Sequence, residues 1–194
     1  LSAKARKEAL KECADRTGIA RAFRHVLSGG KDARTLLRAL CDLSGERVFA
    51  EIILHYAGIH EEEFLSVLSA DDPKLRKTCA QLMGRLDADR FAQPLMDAFQ
   101  RETIAFVKRS SILALGKAAH SDGTLSFLQK ISVPEGGDKN LEEQRIALGK
   151  ALSSLIPLQI VRPILPLGRK LDLIASCPNV KVAVDEFTRL GYRA

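Results

Sequence analysis

Apolar residues recur at helical spacing along most of this chain. Leu10 and Ala14 are followed by Ile19, Phe23 and Val26-Leu27, then by Leu36, Leu40 and Leu43, then by Val48, Ile52-Ile53 and Tyr56. Each group places its apolar members on one side of a helix. The groups are divided at Gly18, Ser28-Gly29-Gly30, Ser44-Gly45 and Ala57-Gly58, which read as helix stops. Up to about residue 70 the pattern therefore predicts helices arranged as two antiparallel pairs. The first of them opens with Lys4, Arg6, Lys7 and Lys11, a basic turn that opposes the helix dipole. Further on, the spacing predicts outer helices over 61–69, 88–101 and 124–131 and inner helices over 73–86, 104–119 and 141–156. Asp72 before Pro73 is a strong start signal: a carboxylate can accept from free amides, and proline at the first helical position loses no hydrogen bond. Residues 134–140, with Gly136-Gly137, read as an exposed loop.

The period changes after Pro157. Pro163 and Pro166 predict an extended linker over 158–168, because proline breaks a helix interior. From Lys170 to Cys177, Leu171, Leu173 and Ala175 alternate with Lys170, Asp172, Ile174 and Ser176, the period of a strand. Val182, Val184 and Phe187 to Leu190 then read as a helix stopped by Gly191. One strand and one helix cannot form a core, and the strand needs a sheet from elsewhere. The expected organisation is an all-α domain over 1–157, a linker over 158–168, and a strand-helix fragment of a following domain over 169–194.

One phrase within the helical part occurs twice. Leu75-Arg76 with Leu82-Met83-Gly84 is matched by Val107-Lys108 with Ala114-Leu115-Gly116, and 32 residues separate both Leu75 from Val107 and Gly84 from Gly116. A fixed period of this length predicts stacked helical hairpins, an α-solenoid. A third copy runs through Gln144-Arg145, Leu148 and Ala151-Leu152-Ser153, with Ser153 in the glycine position, and a fainter one through Ala33-Arg34, Leu37 and Leu40-Cys41. The glycines at 84 and 116 suit a close approach between neighbouring helices, a packing reason that outweighs their cost in helix propensity.

These phrases resemble HEAT repeats of the short form related to phycobilisome lyases, in which an Asp-Pro turn starts a helix carrying Val-Arg, a small residue and Ala-Leu-Gly. The first copy fits through Asp72-Pro73, Leu75-Arg76, Cys79 and Leu82-Met83-Gly84. The second fits through Val107-Lys108, Ser111 and Ala114-Leu115-Gly116 without the Asp-Pro. The resemblance covers about 61–157 and implies a HEAT-like solenoid, a fold that binds proteins, nucleic acids or membranes. The tail resembles a different family. Leu171-Asp172-Leu173-Ile174-Ala175, Pro178-Asn179-Val180, Glu186-Phe187 and Leu190-Gly191-Tyr192 are similar to the opening of the THUMP-associated region of RNA methyltransferases, with Asn179 for the usual glycine and Lys181 for the usual acid. That likeness implies an RNA-binding segment with the catalytic domain downstream, and so an accessory role for the helices ahead of it.

Composition narrows the partners. The chain has 194 residues, 46% hydrophobic and 28% charged, enough to bury a core. Aromatic residues make up 5% with no tryptophan, which disfavours binding single strands by stacking bases on rings. A net charge of +6 makes RNA or an acidic protein surface a reasonable partner class. Cys13, Cys41, Cys79 and Cys177 show no metal-ligand spacing and read as small buried thiols of a reducing, cytoplasmic compartment. No apolar run is long enough to span a bilayer. The chain begins at Leu1, as expected of a fragment or processed product.

Catalytic signatures are missing from the sequence. The glycine pairs Gly29-Gly30 and Gly136-Gly137 lie between helices without the strand that a cofactor loop follows, and His25, His55, His60 and His120 have no paired-ligand spacing. No cofactor and no metal are therefore expected in this chain, and the candidate site is a set of basic columns. Arg76, Lys108 and Arg145 share one repeat position, Arg85 and Lys117 another, and Lys77 and Arg109 a third. Equivalent positions align along a solenoid, so these columns could line a phosphate-binding groove. In HEAT-like repeats the Arg76 column ordinarily bonds acids of adjacent repeats, so Lys77, Arg85, Arg109 and Lys117 are the better candidates for a ligand. The two expectations are a non-catalytic RNA-binding module of a larger RNA methyltransferase and, alternatively, a protein-interaction scaffold unrelated to RNA.

Overall fold

The computed structural model describes Lys4 and residues 15–118, 122–134 and 138–156. Among these residues every regular element is helical: α1 (Arg16–Leu27), α2 (Ala33–Leu43), α3 (Arg47–Ile59), α4 (Glu61–Ser66) continued by a 3-10 turn (Val67–Ser69), α5 (Pro73–Leu86), α6 (Ala92–Arg101), α7 (Ala105–Leu115), α8 (Asp122–Lys130) and α9 (Lys139–Ile156). The expected basic turn beyond Lys4, the Gly136-Gly137 loop tip, the linker and the strand-helix tail lie outside the described residues. None of the described helices is long and apolar enough to cross a membrane.

Local chemistry accounts for the helix ends. Gly18 does not stop a helix: it sits buried in the first turn of α1, its amide donating to the Asp15 side chain at 2.6 Å. The stripe of Ile19, Phe23 and Val26 follows without a break because an N-terminal turn with its amide capped tolerates glycine. Gly29, with φ +67°, closes α1 as expected, since L side chains rarely adopt that conformation. Asp72 caps α5 by accepting from the Lys74 amide at 2.8 Å, with Pro73 at the first helical position. The second copy, which lacks Asp-Pro, uses Glu102 instead: its carboxylate accepts from the Thr103 and Ile104 amides at 3.0 and 2.9 Å. Asp138 does the same for the Asn140 amide at 2.9 Å. An acid two residues ahead of the amide it caps thus precedes α5, α7 and α9 alike.

Helices α2, α5, α7 and α9 pack in succession, each on the next, while α1 and α3 lie against each other, α6 against α7 and α8, and α8 against α9. Phe23, Phe64 and Phe91 are fully buried and form a ring chain at 5.2 and 5.8 Å between α1, α4 and the turn before α6. Burial of such side chains contributes roughly 1.5–3 kcal/mol each. The register from α5 to α7 is repeated from α7 to α9. A Cβ built on Gly84 would stand 2.6 Å from the Ala114 Cβ, and one on Gly116 would stand 2.7 Å from the Ala151 Cα. Ala114 and Ala151 hold the same place in their copies, two residues before Gly116 and Ser153. In the same way Lys77 reaches Phe106 across the first step and Arg109 reaches Glu143 across the second, and these partners are again equivalent positions. Two helix–helix steps are therefore built on one contact pattern.

The third copy departs from the apolar pattern at Gln144, which stands where Leu75 and Val107 stand. Gln144 is buried and donates its side-chain amide to the Ala105 carbonyl at 3.0 Å. The polar group is satisfied across the α7–α9 junction, as burial demands.

Candidate functional site

Basic side chains of α2, α5, α9 and the turn after α7 gather along one run of helices. On α5, Lys74, Lys77, Gln81 and Arg85 succeed one another at helical spacing and share a face. On α7, Phe106, Ser110 and Leu113 do so too, and Lys117 follows in the turn after the helix. Two clefts open between the helices. The first, of about 330 Å³, is lined by Arg34 and Arg38 of α2, Lys74, Lys77 and Thr78 of α5, and Phe106 of α7. The second, of about 350 Å³, lies across α5, α7 and α9 and is lined by Arg85, Lys117 and Lys150 together with Gln81, Ser110 and Ser154, among others. Arg38 bridges them by donating to Gln81 Oε1 at 3.5 Å.

The seven cations named from sequence divide into groups once their partners are known. Arg76 is engaged inside the fold. Its guanidinium donates to Glu102 at 2.7 and 3.0 Å and to the Ala70 and Asp71 carbonyls at 2.7 and 3.1 Å, with the two side chains 16% and 7% exposed. Partial burial pushes the Glu102 carboxyl up, but the bond from Arg76 and those from the Ile104 and Thr103 amides more than reverse this and leave it below the usual range. Lys108 lies over the Phe99 ring at 5.3 Å. Arg109 is paired with Glu143. Arg145, half-buried on α9, has partners of its own.

Three of the seven line the clefts. Lys77 lies over Phe106 at 6.0 Å in the first. Arg85 and Lys117, both exposed, stand in the second, and Arg85 donates one N–H to the Cys41 carbonyl, leaving most of its five donors for another partner. No carboxylate among the described residues lines either cleft. Among the described residues no ion pair involves Lys74, Lys77, Arg85, Lys117 or Lys150, whereas Arg34 and Arg38 are loosely paired to Asp72 and Asp42 at 3.7 and 3.5 Å. The positive field reaches the core: burial pushes the Cys41 thiol up, and the charges of Arg85, Arg38 and Lys117 offset part of that rise.

Four basic residues of these clefts, Arg34, Arg38, Lys74 and Lys150, were not singled out by the repeat columns. Lys150 holds the position of Gln81 and Leu113, three residues before the glycine or its serine replacement, so no cation column marks it. The available signal was the helical face: Lys74 lies three residues before Lys77, on the same side of α5.

The clefts present charged donors of the kind that make charge-assisted hydrogen bonds. Among the described residues no three His, Cys, Asp or Glu side chains gather as a metal site would require. The chain matches no protein family, no curated protein and no solved structure.

Proposed function

We propose that this chain is a HEAT-like α-solenoid that binds RNA without catalysing a reaction on it, as an accessory module of a larger RNA methyltransferase. The observation that carries the reading is the pair of basic clefts along α2, α5, α7 and α9, which no carboxylate lines among the described residues. Lys74, Lys77, Arg85, Lys117 and Lys150 would contact backbone phosphates, with Arg34 and Arg38 joining by exchanging their loose acidic partners for phosphate. Among the described residues Phe106 is the one ring in the clefts and already carries Lys77, so contacts to phosphate and sugar fit this face better than stacked bases. The solenoid is supported by the repeated contact pattern across α5, α7 and α9. The link to a methyltransferase, and to a downstream domain of the same polypeptide, rests on the likeness of residues 169–193 to the THUMP-associated region.

Fluorescence anisotropy with a structured RNA hairpin tests the reading. Binding is expected at low salt, with affinity falling steeply between about 50 and 200 mM salt as counterions compete. Absence of binding at low salt would reject it. A second reading is favoured by Leu113 and Ile146, which are 39% and 52% exposed on α7 and α9. An apolar protein segment could cover them, and a protein partner held with little dependence on salt, without RNA affinity, is the result that would select it.

A further inference from the structure

The cleft across α5, α7 and α9 holds two hydroxyls beside its three cations. Ser154 is half-buried, and Ser110, which also lines the cleft, is 2% exposed. Both donate into their own helices: Ser110 Oγ to the Phe106 carbonyl at 3.2 Å and Ser154 Oγ to the Lys150 carbonyl at 2.9 Å. A hydroxyl has one proton and two lone pairs, so an oxygen whose proton is engaged offers only acceptors to a ligand. A phosphate oxygen is itself an acceptor and gains nothing from them. A ribose 2′-hydroxyl can donate to them, and deoxyribose has no such group.

The chemistry of the cleft therefore matches two parts of one ligand. Arg85, Lys117 and Lys150 supply donors to a phosphodiester, and the serine oxygens supply acceptors to the adjoining sugar. We infer that Ser154, together with Ser110 of the same cleft, accepts a hydrogen bond from an RNA 2′-hydroxyl and makes the face prefer RNA to DNA. This selectivity rests on the reading of the face as an RNA surface and adds to it the group by which RNA is distinguished.

The test uses the 194-residue chain and one hairpin prepared as RNA, as DNA and as 2′-O-methyl RNA, the last keeping the A-form while lacking the donor. The unmodified chain is expected to bind RNA more tightly than either of the others. One hydroxyl hydrogen bond corresponds to about 5-fold in affinity, so Ser154→Ala should lower the RNA-to-DNA affinity ratio by about that factor, and Ser110→Ala with Ser154→Ala should lower it further. Circular dichroism melts establish that each variant is folded. Equal affinity for RNA and 2′-O-methyl RNA would overturn the inference. So would a loss on Ser154→Ala that is the same for RNA and DNA, because that pattern means the hydroxyl turns to donate to phosphate. In either case RNA binding itself survives, whereas failure of all three hairpins to bind at low salt rejects the RNA reading and the selectivity together.

Discussion

Arg76 and Glu102 show what a single pair contributes here. The guanidinium joins the carboxylate that caps the start of α7 to the carbonyls of the turn before α5, so one charge network holds two helix starts together. Arg76→Ala leaves a largely buried carboxylate without its cation and is expected to cost about 2–3 kcal/mol in urea denaturation at neutral pH. The pH dependence has a definite sign. The Glu102 carboxyl is lowered in the folded state, so its stabilisation is present above the ordinary carboxylate range and is lost as pH falls through the lowered value. The penalty of Arg76→Ala should therefore shrink in acid, and denaturation midpoints of both proteins across acidic pH check it. The thiols make a second residue-scale prediction. Cys41 and Cys79 are fully buried and their thiols are pushed up by that burial, so in a chain carrying Cys13→Ser and Cys177→Ser neither should react with a thiol reagent until denaturant is added.

At the scale of helices, glycine has opposite meanings at different places. A Cβ at Gly84 would meet both the Cβ and the Cα of Ala114, at 2.6 and 2.7 Å, so α5 and α7 must move apart to admit it. Gly84→Ala and Gly116→Ala are each expected to destabilise by about 1–3 kcal/mol, despite alanine's better helix propensity. Among the described residues nothing lies within 4 Å of a Cβ built on Gly149 in α9. Gly149→Ala should stabilise by up to about 1 kcal/mol, because only propensity is at stake there. Thermal melts of the three variants compare the two effects directly, and a gain at position 84 would contradict the close contact.

For the whole molecule, the basic face predicts a salt response that depends on which cation is removed. Lys117→Ala should reduce the slope of log affinity against log salt by about one, since Lys117 has no acidic partner among the described residues and lines a cleft. Lys108→Ala should leave the slope unchanged, because Lys108 lies over Phe99 and lines neither cleft. Repeating the RNA titration over a range of salt for both variants measures the difference. A similar fall in slope for Lys108→Ala would mean that the positive surface is diffuse and that the clefts do not select the contact sites.

Sequence by itself determined the all-helical pattern of the described residues, most helix limits and the close approach at Gly84 and Gly116. These follow from short-range properties: the period of apolar residues, the Asp72-Pro73 cap and the absence of a side chain at two repeated positions. Gly18 misled because a glycine reads alike at either end of a helix until the residue that caps it, here Asp15, is taken into account. Which cations remain available was decided only by the tertiary structure. Arg76 meets an acid 26 residues away and Arg109 one 34 residues away, whereas Lys117 and Lys150 meet none among the described residues. Charges that look equivalent along the chain become different when helix packing brings a carboxylate to some of them and leaves others beside a cleft.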